Sequence, residues 1–597
     1  MDESLKQDEI GTVARLPGAP FAYALAYVRR AALAHKAELA ALCLLFLMAA
    51  NLFTVIRRKT ITNDETVLIP AAYYHLVTDD FQLVHEHPPL CKLLAGVPLL
   101  FVQPNEARPE VIAKATNSSE RDWAYQQSFW NDNLGLFHRI SFWARIPAIL
   151  LTLALGWLVF QFARELFGAR AALLALSLFV LEPTLLAHGR VVQTDVPAAF
   201  GYLLVFYTLY HYVQRRTLRR ALLVGAAAGL SLLAKFSMLI VAPVLLAVFL
   251  TFFLRAPRDG ESRTAFLAHA SLAVLASLLV INAVYFFHSR PLTTDDVRWV
   301  WASFPEHPRL VWASVSWLRH LMPTDFILGI YWQLWHSKEG HSASLLGMYS
   351  AHGWWYYFPV AFALKTTLPF LLLSVSSLVW SCYRLLARRE RLFLVLLVPI
   401  ALYTAFVMMS TINIGVRYFL PAVPFLCILA GALLDRLLKL ARARTLALGC
   451  ALLLISWVAV EAVRAYPHHM SYMNQLASPR PHWYYLSDSN VEWGDDVGEL
   501  TEYLRARGET RVTAALLGGY ATVGYNGVAY LDALALPDPT RVETRYVAIG
   551  ASFLNGSTVP GRANLSEEQR VNFFDAYRRL TPEAVFGGSI YLFRMND

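Results

Sequence analysis

The sequence predicts an all-α membrane protein that crosses the bilayer many times and carries a small soluble domain at its C-terminus. Of its 597 residues, 56% are hydrophobic and 16% are charged, and the mean hydropathy is +0.42. Soluble globular chains carry about 25% charged residues, so this deficit is typical of a polytopic membrane protein. The formal net charge is +9. Because the basic residues fall mostly in short loops between apolar segments, we attribute this charge to membrane topology and expect no nucleic-acid partner.

Apolar stretches of about 17 residues or more predict the transmembrane helices. The stretch 221–254 is interrupted only by Lys235. As one helix it would be about 50 Å long, too long for a hydrocarbon core of about 30 Å, so it predicts two spans joined by a tight turn. With this hairpin the total is about eleven spans. The others lie near 39–56, 146–163, 171–187, 196–213, 265–287, 354–380, 392–410, 418–434 and 445–463.

The basic residues predict the orientation of these spans. With a cytoplasmic N-terminus, five cytoplasmic loops carry arginine or lysine, whereas the short opposite loops carry only Arg190 and Arg417. This asymmetry follows the positive-inside rule. One feature disagrees, since Arg57, Arg58 and Lys59 follow the first span on the outer side. We expect a multi-pass protein of the inner or plasma membrane, with its C-terminal domain outside the cytoplasm.

Three long segments fall on the predicted outer side. Residues 57–143 and 288–353 form two outer loops of a membrane domain that covers 1–465. Residues 466–597 form the soluble domain, whose short mixed segments predict an α/β or α+β fold. No internal repeat is visible, which argues against a transporter built from inverted repeats. The five cysteines show no CxxC pair or metal-ligand spacing, so we expect neither a disulfide framework nor a structural zinc site.

The first outer loop begins with two adjacent carboxylates, Asp64 and Glu65. They lie a few residues beyond the first span, where a carboxylate can stay ionised beside a lipid-borne substrate and act as a general base. The alternative is structural, because Asn63 or Asp64 before an apolar run is a common signal for a helix N-terminus.

A second motif in the same loop combines a histidine, two prolines and a lysine. Pro88 and Pro89, preceded by His87, predict the start of a helix, since proline suits the first helical turn. Lys92 then falls one turn inside that helix, where the helix dipole already favours anions, and this combination suits a phosphate. The alternative for Lys92 is a side chain that extends to the membrane interface.

Further motifs follow these two in order along most of the chain. They are Arg139, Arg145-Ile146-Pro147, Glu182-Pro183, Ala187-His188-Gly189-Arg190, Thr194-Asp195-Val196-Pro197, Gly353-Trp354-Trp355-Tyr356-Tyr357-Phe358-Pro359, Lys365, Gly415-Val416-Arg417-Tyr418 and Asp488-Ser489-Asn490-Val491-Glu492-Trp493-Gly494. In this ordered set, with the family motif at His87, Pro88 and Pro89, the chain resembles the protein O-mannosyltransferase family (glycosyltransferase family 39) and its bacterial members. The resemblance implies the class C glycosyltransferase fold.

The resemblance implies where the chemistry takes place. Asp64 is the expected catalytic base with Glu65 beside it, and Asp195 is a second aspartate of the catalytic site. The predicted topology independently places Asp195 on the same side as Asp64. Two carboxylates on one face can also hold a divalent cation, so a metal ion at Asp64 and Asp195 is left open and no other cofactor is expected. The alternative for Asp195 is capping of the helix that begins before Pro197.

Cleavage of a sugar–phosphate bond leaves charge on the lipid phosphate, which fixed cations stabilise. We expect two or three of five candidates to bind this phosphate, led by Lys92 and Arg417. The five candidates are Lys92, Arg139, Arg190, Lys365 and Arg417. A charge within a span costs about 2.5–3.5 kcal/mol, which favours a function for Lys365, although Lys365 can instead mark the outer end of a span that begins later.

Two other motifs allow structural interpretations. The aromatic run 354–358 is typical of an interfacial belt, with sugar stacking as the alternative. Asp488, Asn490 and Glu492 alternate like the start of a calcium-binding loop, but Trp493 stands where that loop needs glycine. We therefore expect no calcium there and treat the motif as a signature of the family.

The resemblance thus predicts inverting transfer of a sugar from a polyprenyl-phosphate donor to an acceptor hydroxyl on the outer face. The loop 288–353 has only 66 residues, which makes the chain a poor match to the eukaryotic members of the family. A protein Ser/Thr acceptor and a glycolipid acceptor both stay open. One alternative is a lipid-linked sugar flippase or transporter without transferase chemistry, and another is a scaffold that keeps the fold without catalysis.

Overall fold

The computed structural model describes residues 35–595 except 108, 114, 116, 256–261, 441–443 and 562–564. The N-terminal segment 1–34, which the topology prediction places in the cytoplasm, lies outside these residues.

In the described part of the membrane domain, eleven helices correspond to the predicted spans, one to each. Nine of these spans are long and apolar enough to cross a bilayer, whereas α3 and α5 are shorter, with 13 and 17 residues. The helices are α1 (Lys36–Ile56), α2 (Phe137–Phe167), α3 (Ala169–Leu181), α4 (Asp195–Gln214), α5 (Leu218–Ala234), α6 (Val241–Leu254), α7 (Arg263–Val284), α8 (Leu368–Arg388), α9 (Leu394–Met408), α10 (Val423–Leu438) and α11 (Arg444–Ala465). Turns of 3-10 helix at Phe236–Ile240, Arg391–Phe393 and Val416–Ala422 precede α6, α9 and α10.

Two breaks in these helices have clear local causes. The predicted hairpin in 221–254 is confirmed, because the chain becomes extended at Lys235 between α5 and α6. The span predicted at 354–380 begins later than expected. The first part of the predicted span is a separate short helix, Tyr357–Lys365, and α8 starts after it at Leu368. Pro369 has no N–H to donate and its ring conflicts with the carbonyl four residues earlier, so it ends one helix and opens the next.

The two long loops that are predicted to lie on the outer side are mostly helical. The first contains Asn63–Thr78, Leu90–Gly96, Leu99–Val102, Pro109–Ala113 and Ser118–Asp132. The second contains Thr294–Ser303, Pro308–Leu318, Thr324–Glu339 and an antiparallel hairpin of β1 (Ala343–Leu345) and β2 (Met348–Ser350). A further short helix, Pro183–His188, connects α3 to α4.

The C-terminal domain is built on a mixed five-stranded sheet in the order β4-β3-β5-β7-β6. Its strands are β3 (Arg511–Ala515), β4 (Ala529–Asp532), β5 (Tyr546–Gly550), β6 (Ala584–Phe586) and β7 (Ile590–Arg594). β3 pairs in parallel with β4 and β5, and β7 pairs antiparallel with β5 and β6. Helices Val497–Arg505 and Gly519–Tyr525 pack on the sheet through a shared apolar core. The prediction of a small domain containing both helices and strands is confirmed.

Two of the three basic residues that broke the charge pattern, Arg58 and Lys59, contact the C-terminal domain. Lys59 Nζ pairs with Asp496 and lies 2.6 Å from Glu499 Oε1 and 2.7 Å from His468 Nδ1. Arg58 lies over the ring of Tyr466, 5.4 Å from its centroid. Although His468, Asp496 and Glu499 are of metal-ligand type and lie close together, the Lys59 ammonium group already contacts all three side chains and offsets part of their negative charge. These cations therefore hold the two domains together.

Close helix packing in the bundle depends on glycine. A Cβ atom at Gly225 of α5 would overlap the backbone of Ala273 on α7, and one at Gly229 would lie 2.8 Å from Ser277 O. Residues four apart lie on one helix face, so these glycines let the two backbones approach, as small residues do in membrane helices.

We predict that Gly225→Ala destabilises the bundle and that Gly449→Ala does not. The first change forces α5 and α7 apart, and overpacking typically costs about 1–3 kcal/mol. No atom lies within 4 Å of a Cβ at Gly449 of α11, where alanine favours the helix by about 0.5–1 kcal/mol. The midpoint of thermal unfolding in detergent should fall only for Gly225→Ala, and equal midpoints for the two variants would contradict this packing.

Candidate active site

Two carboxylates and two cations meet at one end of the helix bundle. Arg417 Nη1 lies 2.8 Å from Asp64 Oδ2 and 3.6 Å from Asp195 Oδ2. Lys235 Nζ pairs with the other oxygen of Asp195 and lies over the ring of Tyr418, 3.7 Å from its centroid. The structure thus brings three predicted site residues together and adds Lys235, which the sequence analysis treated only as an interruption.

The ends of helices position all four charged side chains. Asp64 lies in the first turn of Asn63–Thr78, and Asp195 is the first residue of α4. Lys235 follows the last residue of α5, and Arg417 lies in the 3-10 turn before α10. The two carboxylates lie at helix N-termini and Lys235 at a helix C-terminus, where the helix dipoles favour their charges. Arg417 lies on the N-terminal side of α10, where the dipole disfavours a cation, so its position depends on its acidic partners.

Exposure separates the two aspartates. The Asp64 side chain is 21% exposed, whereas the Asp195 side chain is 2% exposed. Asp195 is also flanked by both cations of the cluster. Asp64 is therefore the carboxylate that a molecule arriving from outside the bundle can reach.

Glu65 differs from Asp64, because both of its oxygens are engaged inside the protein. Arg145 donates Nε to Oε1 at 2.7 Å and Nη2 to Oε2 at 2.6 Å, and the backbone N–H groups of Thr62 and Val192 donate as well. Burial acts to raise the pKa of the Glu65 carboxyl, but Arg145 and these donors outweigh it and the pKa is lowered. Glu65 completes a capping box with Thr62, so the alternative of helix capping describes Glu65 well.

The motif at 488–494 supports Arg417 and the start of the first outer loop. The ring of Trp493 lies 4.2 Å from the guanidinium carbon of Arg417, and its carbonyl accepts from Asn63 N at 2.7 Å. Asn490 Oδ1 accepts from Val416 N at 2.8 Å. This motif, which had no role at the level of sequence, fixes the backbone on both sides of the Asp64–Arg417 pair.

Glu492 anchors this motif in the C-terminal sheet. Its two oxygens accept from Leu517 N, after β3, and from Ser552 N, after β5, each at 2.9 Å. Open α/β sheets commonly bind ligands at this position, beyond the carboxyl ends of adjacent parallel strands. Burial raises the pKa of Glu492 to about 8. A side chain of the protein itself therefore occupies the crevice of the sheet.

Of the five predicted phosphate ligands, only Arg417 contacts the predicted carboxylates within the described residues. Lys92 Nζ is buried and donates to Val84 O at 2.7 Å, and burial lowers its pKa to about 8. Lys365 Nζ donates to Met470 O and Asn490 O at 2.7 and 2.5 Å, and burial lowers its pKa to about 7.

The two remaining candidates also lie apart from the cluster. Arg190 is buried and pairs with Asp495 Oδ2 at 2.5 Å through Nη2. Arg139 is exposed on α2. His87 of the family motif is half-buried. Burial lowers its pKa to about 4, and the charges of Asp64 and Arg417 also act on it. Its imidazole is therefore neutral at pH 7, and Pro88 and Pro89 beside it are buried.

A metal ion between Asp64 and Asp195 does not fit this arrangement. Arg417 Nη1 lies between the two carboxylates, at 2.8 and 3.6 Å, and Lys235 holds the remaining oxygen of Asp195. A divalent cation bridging the pair would have to displace the guanidinium group, so we derive no step through a metal.

Lys235 was missed because it interrupts an apolar stretch at the point where a turn was required. A signal for it was present in the sequence. A lysine between two predicted spans lies at membrane depth or at the interface, where an ionisable residue is a functional candidate by default.

We predict that Gly550→Ala displaces Glu492 and loosens the segment 488–494. A Cβ atom at Gly550 would overlap the Glu492 carboxylate, whereas one at Gly524, in helix Gly519–Tyr525, would meet no atom within 4 Å. Backbone hydrogen exchange at 488–494 should therefore accelerate by tenfold or more in Gly550→Ala and stay unchanged in Gly524→Ala. Unchanged exchange in Gly550→Ala would show that Glu492 does not hold this segment.

The fold is similar to several solved structures. The apo oligosaccharyltransferase of Archaeoglobus fulgidus matches with 14% identity over 86% of this chain and 70% of that chain, at a TM-score of 0.46. ArnT from Cupriavidus metallidurans bound to undecaprenyl phosphate matches with 14% identity over 92% of this chain and 97% of that chain, at a TM-score of 0.45.

Comparison of the sequence with curated proteins gives no significant match. A family model does match. Residues 133–286 fit the model described as dolichyl-phosphate-mannose-protein mannosyltransferase, and this stretch runs from α2 to just beyond α7, with Asp195 and Lys235 inside it. The chain is a multi-pass membrane protein, and its predicted resemblance to the protein O-mannosyltransferase family is confirmed by this match over residues 133–286.

Proposed function

We propose that the protein is a glycosyltransferase that moves a sugar from a polyprenyl-phosphate donor to an acceptor hydroxyl on the outer face of the membrane, with inversion. The family match over residues 133–286 supports the general kind of reaction. The observation that carries the proposal is the cluster itself, in which a reachable carboxylate, Asp64, pairs with Arg417, and Asp195 joins Arg417 to a second cation, Lys235.

Asp64 is the proposed general base. Oδ2 is held by Arg417 at 2.8 Å, while the side chain remains partly exposed, so its other oxygen can accept a proton from an acceptor hydroxyl. As that proton moves to Asp64, the hydroxyl oxygen attacks the anomeric carbon. The bond from this carbon to the phosphate oxygen breaks, and its electron pair leaves with the lipid phosphate. A single displacement of this kind inverts the anomeric centre.

Arg417 and Lys235 are the proposed partners of the leaving phosphate. Arginine offers several N–H groups to phosphate oxygens and lysine a compact charge. In the structure both cations contact Asp195, which we propose keeps them oriented when no donor is present. Glu65 is proposed to be a positioning residue, because its oxygens are already engaged by Arg145 and the backbone.

An apolar cavity close to Lys235 suits a prenyl chain. An apolar cavity of ≈ 380 Å³ lies among α4, α5, α6 and α7, and Met238 and Ile281 are among its lining residues. Met238 N donates to Lys235 O at 3.0 Å, so the cavity begins within one turn of the charged cluster. A lipid carrier in this cavity would place its phosphate beside Lys235.

We predict that Asp64→Asn abolishes transfer. Purified protein is given a panel of radiolabelled polyprenyl-phosphate sugars, and label released to protein, lipid or water is counted. Loss of a general base typically costs about 10²–10⁴ in rate, and binding of the donor should persist. Asp79→Asn is the matched control, because Asp79 is exposed in the same loop with a positive φ that asparagine tolerates. A flippase without transferase chemistry would keep its function in both variants. Equal release of label by Asp64→Asn and the wild type would overturn the proposal.

We predict that Lys235→Met raises the KM for the donor at least tenfold, about 1.4 kcal/mol, because the phosphate loses a cation. The double variant Lys235→Met/Asp195→Asn separates this role from simple neutralisation of Asp195. If Lys235 acts on the phosphate, the double variant stays as weak for the donor as Lys235→Met. Recovery of wild-type KM in the double variant would show a purely structural pair. Lys338→Met, which removes an exposed lysine of the second outer loop, serves as the control.

A further inference from the structure

Helix Pro308–Leu318 of the second outer loop has two apolar faces, of which only one is covered. On the covered face Val315 is buried and packs with Ile327 and Leu328 of the next helix. A single helix that packs on a loop needs only one such face. The opposite face therefore requires a separate explanation.

The uncovered face presents large apolar side chains at helical spacing. Leu310 is 70% exposed and Trp317 is 64% exposed, with Ala313 exposed between them. Positions 310, 313 and 317 lie on one side of an α-helix. Leu321, just beyond the helix, is exposed as well, so the stripe continues past the last turn.

The end of this helix is fixed at the level of a membrane-spanning helix. Asn282 lies in the last turn of α7 and donates through Nδ2 to Leu321 O at 2.9 Å. Met322 packs into the cluster that includes Ile281 of α7. Beside it, Phe286 and Phe287 are exposed directly after α7 ends. The end of the stripe at Leu321 therefore lies where the bilayer surface must meet α7.

The charges around the stripe are those of a membrane interface. Segment 308–321 contains Arg309, Arg319 and His320 and no acidic residue. Basic side chains are attracted to anionic headgroups, and tryptophan is enriched at the boundary between headgroups and acyl chains. The last acidic residue before this segment, Glu306, is paired with Lys338 at 2.9 Å.

From this geometry we propose that helix Pro308–Leu318 lies in the outer interface of the bilayer, with Leu310, Ala313 and Trp317 inserted among headgroups and upper acyl chains. Interfacial helices insert their apolar face by about 5–10 Å. A second copy of the chain is the less suitable occupant, because stable protein interfaces bury about 800 Å² on each partner and a stripe of three side chains on one short helix offers much less.

Site-specific photo-cross-linking in the full-length protein tests this surface. Trp317 is replaced by p-benzoylphenylalanine, and the protein is reconstituted in vesicles of radiolabelled phosphatidylethanolamine and phosphatidylglycerol. The proposal predicts that irradiation attaches labelled lipid to the protein. The same replacement of Glu567, exposed on the C-terminal domain, should attach at most a tenth as much.

A second position protects the test against a variant that fails to fold. Ala313→p-benzoylphenylalanine probes the same stripe and should also attach lipid. Cross-linking of either position to a second copy, seen as a band of doubled mass, would overturn the proposal in favour of a dimer interface. Lipid attachment no greater than that of the Glu567 control would overturn it in favour of a surface that faces water. Neither result depends on the proposed transferase activity.

Discussion

The arrangement of the site depends on the contacts that the guanidinium group of Arg417 makes. This group lies between Asp64 of the first outer loop and Asp195 of α4, and its face is covered by Trp493 of the C-terminal domain. A buried charge is tolerated only when its partners are in place. The loop, the bundle and the domain must therefore all be docked before the cluster is stable.

The C-terminal domain is fixed to the bundle by groups that would be costly to bury apart. Lys59 pairs with Asp496, and Arg190 pairs with Asp495. Lys365 donates to two carbonyls of the C-terminal region. These contacts give Lys59, Arg190 and Lys365 a structural partner. Arg417 remains as the cation that pairs with the reachable carboxylate Asp64, and Lys235 joins it through Asp195.

Sequence reasoning identified those features that follow from local patterns. The spans, the hairpin at Lys235 and the mixed C-terminal domain follow from apolar length and composition, and the shared side of Asp64, Asp195 and Arg417 follows from counting spans. It did not predict the partners of Lys92 and Lys365, because their acceptor carbonyls are set by tertiary folding, more than 100 residues away in the case of Lys365. Only the family resemblance separated Asp64, as the expected base, from Glu65, because the physical difference depends on which carboxylate turns toward Arg145. The role of 488–494 required the folded sheet, in which Glu492 reaches residues that follow β3 and β5.

The position of a bound lipid phosphate decides whether Arg417 and Lys235 form the active site. Electron cryo-microscopy of the full-length protein in nanodiscs with undecaprenyl phosphate would locate it. We expect phosphate density within about 4 Å of Arg417 or Lys235, the range of an ion pair, with the prenyl chain entering the cavity among α4, α5, α6 and α7. Phosphate density at Arg139, or at any place remote from Arg417 and Lys235, would contradict the assignment of this cluster as the active site.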